Sequence, residues 1–324
     1  MSPTWPWTGR PHRLLASGRQ ALAWLVTGVM PPRARVLCPA CICGSVAAGI
    51  AAAGAEAVFY SQDSALHPRW DELAAAPADA VLLVHPLGRR LPVAPVRALK
   101  RQRPDLVVVE DISHTLLNRA PLIGVDFAFA SLRKLLPVAD GGVAIDCRGR
   151  PLPEAPPASP APSPFVRKRL AGDPSAEDDL DAWGGPPDGI WEGTLRALAA
   201  LEPAALRRAR RRRYRQLAEL AAGPDVVPLW PRLPDGVAPL ALPLRCRNRH
   251  DLRRRLQREG VAAQPYWPVP EAARDAAGIP GRLLAGTLLL VMCAPGGQAL
   301  GTGSGERPAR GRAAAPARGG IARA

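Results

Sequence analysis

Only three of the 43 basic residues are lysines, Lys100, Lys134 and Lys168; the others are arginines. Arginine stays protonated and cannot attack a carbonyl at neutral pH, whereas a desolvated lysine loses its proton and becomes a nucleophile. In a chain that uses arginine by default, each lysine is a candidate for chemistry. Lys100 lies in Leu99-Lys100-Arg101-Gln102-Arg103 and Lys168 in Arg167-Lys168-Arg169, both of which read as solvated faces. Lys134 differs. A short turn, Ser131-Leu132-Arg133, joins it to the apolar run Phe127 to Ala130, and Asp140-Gly141-Gly142 follows, a flexible point where backbone can approach a ligand closely. Upstream, the apolar run Leu106 to Glu110 leads directly into Asp111. Taken singly, Asp111 also fits a helix cap and Lys134 a surface lysine. As a pair they match a pyridoxal phosphate site, in which a lysine holds the aldehyde and a carboxylate keeps the pyridine nitrogen protonated so that the ring accepts electrons.

The phosphate of such a cofactor needs a seat. Ser17-Gly18-Arg19-Gln20-Ala21-Leu22 puts a serine and a glycine at the start of an apolar helix, where free N–H groups bind phosphate oxygens, although a plain N-cap reads the same way. Ser131 adds a hydroxyl.

These residues need a frame that brings them together. From Arg19 to Asp146 helix-like and strand-like stretches alternate, the pattern of a mostly parallel sheet covered by helices. Strands are predicted at Arg35 to Leu37, Ala57 to Tyr60, Ala80 to His85, Leu106 to Glu110, Phe127 to Ala130 and Val143 to Ile145. Helices are predicted at Arg19 to Val29, Ser45 to Ala53 and Val93 to Arg103. In an open α/β sheet the ligand crevice lies at the carboxyl ends of the strands, which is where Asp111 and Lys134 fall. Residues 151–187, rich in Pro, Ala and Asp, read as covering loop with a short helix, and a long helical stretch from Trp191 to Ala222 is interrupted near Pro203. Leu240 to Leu244, Arg249 to Glu259 and Ala262 to Tyr266 then read as strand, helix and strand of a smaller α/β domain, and Leu283 to Met292 as a further partly buried strand. The division expected is a large domain over 1–200, a small one over 201–294, and a disordered tail over 295–324, which holds eight glycines and no aromatic residue.

In this order, these stretches resemble the DegT/DnrJ/StrS family of sugar aminotransferases, from about Ser17 to Pro270. The segments concerned are Ser17 to Leu22; Val36-Leu37-Cys38-Pro39 with the following helix and Gly54-Ala55; Val84-His85-Pro86-Leu87-Gly88; Val109-Glu110-Asp111-Ile112-Ser113-His114; and Phe127 to Lys134 with Gly141-Gly142. The Asp111 to Lys134 block is the specific part. The resemblance implies the type I fold of pyridoxal phosphate enzymes and transfer of an amino group from an amino acid to a keto sugar, nucleotide-linked, through a lysine Schiff base. It makes Lys134 the Schiff-base lysine, Asp111 the pyridinium partner and His114 the residue beside the ring, with Gly18, Arg19 and Ser131 as the phosphate seat. It also implies a homodimer in which each site is completed by the neighbouring subunit. The sequence departs from the family at Arg19, where a small hydroxyl residue is usual; at Leu135, where asparagine is frequent; at Cys41-Ile42-Cys43, where an aromatic residue often covers the ring; and at the C-terminal tail.

Two other functions remain open at this point: a related pyridoxal phosphate sugar dehydratase, in some of which histidine replaces the lysine, and a degenerate binding protein without catalysis. The retained lysine favours transfer. The net charge of +15 is concentrated in residues 204–260, which hold 15 basic and 5 acidic side chains, above all in the run Arg207 to Arg215. A solvated helix face is favoured there over a nucleic-acid surface. Cys38, Cys41 and Cys43 read as buried thiols rather than metal ligands, His85 as a structural histidine and Trp267 as packing of the small domain. No apolar run reaches the roughly 18 residues of a membrane span. With no recognisable signal segment and no disulfide framework, a cytoplasmic enzyme is expected.

Overall fold

The computed structural model describes residues 4–291 apart from 174, 182, 184 and 286, so the tail expected over 295–324 lies outside the described residues. In chain order the first part contains β1 (His12–Leu15), α1 (Gly18–Val29), β2 (Arg35–Pro39), α2 (Gly44–Ala52), β3 (Glu56–Tyr60), α3 (Trp70–Ala75), β4 (Ala80–Val84), α4 (Val93–Gln102), β5 (Val107–Asp111), β6 (Phe127–Ser131) and β7 (Gly142–Asp146). Every apolar run predicted as a strand there forms one. These strands build a single seven-stranded sheet in the order β1-β7-β6-β5-β4-β2-β3. The run from β3 through β2, β4 and β5 to β6 is parallel, while β7 lies antiparallel between β6 and β1.

The period of two along the strands decides which helix meets which face. On β4, Ala80 and Leu82 join Leu22, Leu25, Val46 and Ile50 in the core under α1 and α2. Val81 and Leu83 turn the other way and pack with Leu73, Val96 and Leu99 of α3 and α4. With both faces covered, the strands need no polar alternation, and their sequences show none.

After β7 come α5 (Pro164–Leu170), α6 (Ala176–Asp181), α7 (Glu192–Ala200) and α8 (Pro203–Ala221). Region 151–187 thus holds two short helices rather than one. The second sheet is antiparallel, in the order β10-β11-β9-β8, from β8 (Val226–Pro228), β9 (Ala241–Cys246), β10 (Ala263–Pro265) and β11 (Thr287–Val291). Helix α9 (Arg249–Arg258) packs Leu252 and Leu256 on it beside Tyr214 and Leu217 of α8, and α10 (Arg274–Ala285) precedes its last strand.

The arginine run of α8 is only partly a solvated face. Arg210 is buried and donates to the carbonyls of Pro239 and Leu240. Arg207 reaches the Leu117 carbonyl and Arg211 those of Pro234 and Val237. Arg208, Arg212 and Arg215 face solvent. Guanidinium groups with several planar donors are suited to capping loop carbonyls, and the run serves this purpose along its inner side.

Gly141 and Gly142 bring backbone to backbone rather than to a ligand. The Gly141 N–H donates to the Ala16 carbonyl at 2.8 Å. A Cβ on Gly142 would sit 2.1 Å from the Ser17 carbonyl oxygen, and one on Gly18 would sit 2.7 Å from Ser131 Cβ. The start of α1 is thus clamped between β7 and the end of β6, and only glycine permits it. Gly142→Ala is expected to push α1 off the sheet and to cost about 3 kcal/mol of stability, as overpacking against backbone does. Urea unfolding measures this, and a variant as stable as the parent would contradict it.

Candidate active site

Strands β5 and β6 are parallel neighbours, so Asp111 and Ser131 end at the same sheet edge. Ser131 opens a short helical turn, Leu132–Lys134, that carries the lysine. Two anchors fix that turn: Leu132 is fully buried, and its N–H donates to the Gly141 carbonyl at 2.9 Å. Gly141 is in turn bonded to Ala16, just before α1. The lysine turn and the helix start are therefore held by one short chain of hydrogen bonds.

Asp111 is almost wholly buried, and its Oδ1 accepts the Ser113 N–H at 2.8 Å. The Ser113 hydroxyl accepts the Ser131 N–H, also at 2.8 Å, which ties the ends of the two strands together. Ser17 caps α1 by accepting the Gln20 N–H. The Gln20 side chain is held by Asp188 through both its oxygen and its nitrogen.

All six residues singled out in the sequence line one cavity of about 480 Å³: Gly18, Arg19, Asp111, His114, Ser131 and Lys134. Its lower wall is the carboxyl edge of the large sheet together with the start of α1. Cys41, Ile42 and Cys43, between β2 and α2, form a second wall, and Tyr266 to Pro270, just after β10, form a third.

His114 is buried with its Nε2 3.4 Å from Lys134 Nζ. Burial, followed by the nearby charge of Lys134, holds its pKa well below the ordinary histidine value, so the imidazole is neutral at physiological pH. Its other nitrogen, Nδ1, is buried without a hydrogen-bond partner among the described residues.

These residues fit pyridoxal phosphate. A carboxylate, a half-buried amine and a glycine-tight helix N-terminus with a serine beside it match the ring nitrogen, the aldehyde and the phosphate.

Other sequence candidates fall elsewhere. His85 is fully buried behind the site: Nε2 meets Glu110 at 3.1 Å and Nδ1 accepts the Leu91 N–H. Burial alone would raise the Glu110 carboxyl. The His85 hydrogen bond, with those from the Ile123 and Gly124 amides, outweighs it and holds the group below its usual range. The Cys38 thiol donates to the Val36 carbonyl and is raised by burial, and burial pushes Cys41 up to about 11, so neither is primed as a thiolate. Asp140 anchors α7 through the Trp191 N–H and the Thr194 hydroxyl.

Sequence reasoning missed Gln62, Tyr266 and the cavity-facing position of Trp267. Gln62 holds the wall after β2 by accepting the Cys41 N–H and donating to the Leu66 carbonyl. Trp267 belongs to the cavity wall as well as to the packing of the second sheet. The run Pro265-Tyr266-Trp267-Pro268 carried the signal, since flanking prolines restrict the backbone that presents the two aromatic rings.

No helix among the described residues is long and apolar enough to cross a membrane. No protein-family profile and no curated protein matches the chain. Solved structures do match. A DegT DnrJ EryC1 StrS aminotransferase from Brucella abortus aligns over 87% of this chain and 81% of its own, with a TM-score of 0.59 and 20% identity. The sugar aminotransferase CalS13 from Micromonospora echinospora covers 87% and 83% at a TM-score of 0.58, again 20% identical. The PMP form of Spr1654 from Streptococcus pneumoniae covers 88% and 84% at a TM-score of 0.61 and 17% identity. At these identities the likeness is one of architecture, and it extends over both sheets: the chain has the fold of the DegT/DnrJ/EryC1/StrS aminotransferases.

Proposed function

We propose that the protein is a pyridoxal phosphate-dependent aminotransferase that moves an amino group from an amino acid to a nucleotide-linked keto sugar. The observation that carries this reading is the convergence of Asp111, Lys134 and the glycine-tight start of α1 on one cavity. Support for the substrate class comes from the architecture, shared with a sugar aminotransferase.

Bound there, pyridoxal phosphate supplies the electron sink that lets an amino group leave one carbon and join another. The residues of the chain do the rest. Gly18, Arg19 and Ser131 bind the phosphate, where helix N–H groups and a guanidinium oppose its charge. Asp111 would meet the ring nitrogen and keep it protonated. Lys134 Nζ would be the amine that holds the cofactor's aldehyde, and as a free amine it would carry the proton at the substrate carbon. Neutral His114, 3.4 Å from Lys134 Nζ, adds no positive charge beside the amine. On this reading residues 1–200 form the cofactor-binding domain and 201–294 the small domain, and the enzyme works as a cytoplasmic homodimer.

An absorbance spectrum of the purified protein with added pyridoxal phosphate tests the reading. A visible lysine-linked band is expected, and L-glutamate or L-glutamine should discharge it. A keto sugar carried on thymidine diphosphate should then restore it. No band would leave a binding protein without this chemistry, and a band that releases water from the sugar instead of exchanging nitrogen would identify a dehydratase.

A further inference from the structure

Three strands of the second sheet each give one residue to the cavity: Ala241 of β9, Gln264 of β10 and Leu289 of β11. Strand pairing explains the choice. Ala263, Leu290 and Leu242 stand side by side on one face of the sheet, where they pack with Tyr214 and Leu217 of α8 and Leu252 and Leu256 of α9. Gln264 pairs with Leu289 one register position along, so both side chains turn to the opposite face, the one that closes the cavity. Gln264 is the polar member of the three. It is half-buried, and its carboxamide has no hydrogen-bond partner among the described residues, yet its nitrogen and oxygen are not sealed from solvent. An amide held in this way on an apolar wall is open to a molecule in the cavity.

The charged residues of the cavity, Arg19, Asp111, Arg133 and Lys134, all come from the side of the large sheet. A donor carboxylate or a phosphate is drawn to the cations there, away from the wall that carries Gln264. Such an anion would also engage only the NH2 of the amide and would set its own oxygens against the amide oxygen, acceptor against acceptor. A hydroxyl both donates and accepts, and two neighbouring hydroxyls satisfy both ends of one carboxamide. We propose that Gln264 is a specificity-determining residue for the acceptor substrate, binding neighbouring ring hydroxyls of the keto sugar through its carboxamide. This inference rests on the aminotransferase reading.

The test compares keto sugars on thymidine diphosphate that carry all their ring hydroxyls with analogues that lack one, taken in turn. In the unaltered protein loaded with pyridoxal phosphate, at least one missing hydroxyl should lower kcat/KM about tenfold, as loss of a substrate hydrogen bond to a polar group in the site implies. Gln264→Leu removes the amide at similar volume. It should still form the visible band and discharge it with L-glutamate at a rate within about twofold of the parent. KM for the full sugar should rise about tenfold with little change in kcat, and the preference for the full sugar over the analogue should vanish. A structural role would slow every substrate alike and leave that preference in place. Gln264→Glu keeps size and polarity without an N–H to give, and it should lose the preference as well, which decides the matter if leucine disturbs the edge strand. Indifference of the parent to every missing hydroxyl, an unchanged KM, a preference retained by both variants or a slowed glutamate step would each overturn the proposal. If the unaltered protein forms no visible band with pyridoxal phosphate, the functional reading falls first, and this inference falls with it.

Discussion

Lys134→Arg is expected to leave a folded protein that turns over at least about 10⁴-fold more slowly than the parent, because nucleophile and proton carrier vanish together. The substitution keeps the positive charge and most of the volume. It removes the one property the site needs, an amine that can shed its proton. The turn that carries the residue should survive, since Leu132 and the Gly141 carbonyl fix it independently of the side chain. Nor does the long arginine lose a necessary partner, because the contact of Lys134 with His114 is a loose one at 3.4 Å. Cofactor should still associate weakly through the start of α1 and Asp111. Borohydride reduction and peptide mapping provide the check. In the parent the reduced pyridoxyl adduct should map to Lys134, and in Lys134→Arg it should be absent. An adduct on Lys100 or Lys168, or undiminished turnover by the variant, would sink the assignment. Those two lysines are committed elsewhere, Lys100 to Asp126 and the Leu106 carbonyl and Lys168 to Asp179.

The central sheet was legible because its strands are buried on both faces. Runs such as Val107 to Glu110 and Phe127 to Ala130 have no surface alternation to blur them. For the same reason the sheet edge could be located, and with it Asp111 and the lysine turn. Short elements whose identity comes from pairing were not legible. β1 is four residues, His-Arg-Leu-Leu, with no pattern of its own, and it is a strand because β7 pairs with it. β8, at three residues, is similar. Glycine roles were half visible: Gly141-Gly142 signalled a close approach, but a sequence does not say what approaches, and here it is the backbone of Ser17. Trp267 shows the same limit. An aromatic near the chain's second sheet reads as packing, and only the meeting of the two sheets turns it toward the cavity.

Asp111→Asn should cause a defect different in kind from that of Lys134→Arg. The carboxylate is buried, and Oδ1 is engaged by the Ser113 N–H, which leaves the other oxygen for the ring nitrogen. Asparagine has nearly the same shape. To keep the Ser113 hydrogen bond its carbonyl must take the Oδ1 position, and its NH2 then faces the ring nitrogen, donor against donor. The ring nitrogen loses its proton, and with it most of the ring's capacity to accept electrons from the substrate carbon. Lys134 is untouched, so the visible band should persist and borohydride should still label that residue. Turnover should fall by about 10² to 10³, the order seen when a preorganised electrostatic contact to the reacting group is removed. Affinity for pyridoxal phosphate should weaken as well, because a charge-assisted hydrogen bond has become a repulsive contact. Fold stability should change little, since the Ser113 to Ser131 link between β5 and β6 does not pass through the substituted atom. Spectral titration and single-turnover rates with L-glutamate separate these effects. Full turnover by Asp111→Asn would mean that the ring nitrogen is not where Asp111 can reach it, and the placement of the cofactor in this cavity would have to be abandoned even if Lys134 kept its label.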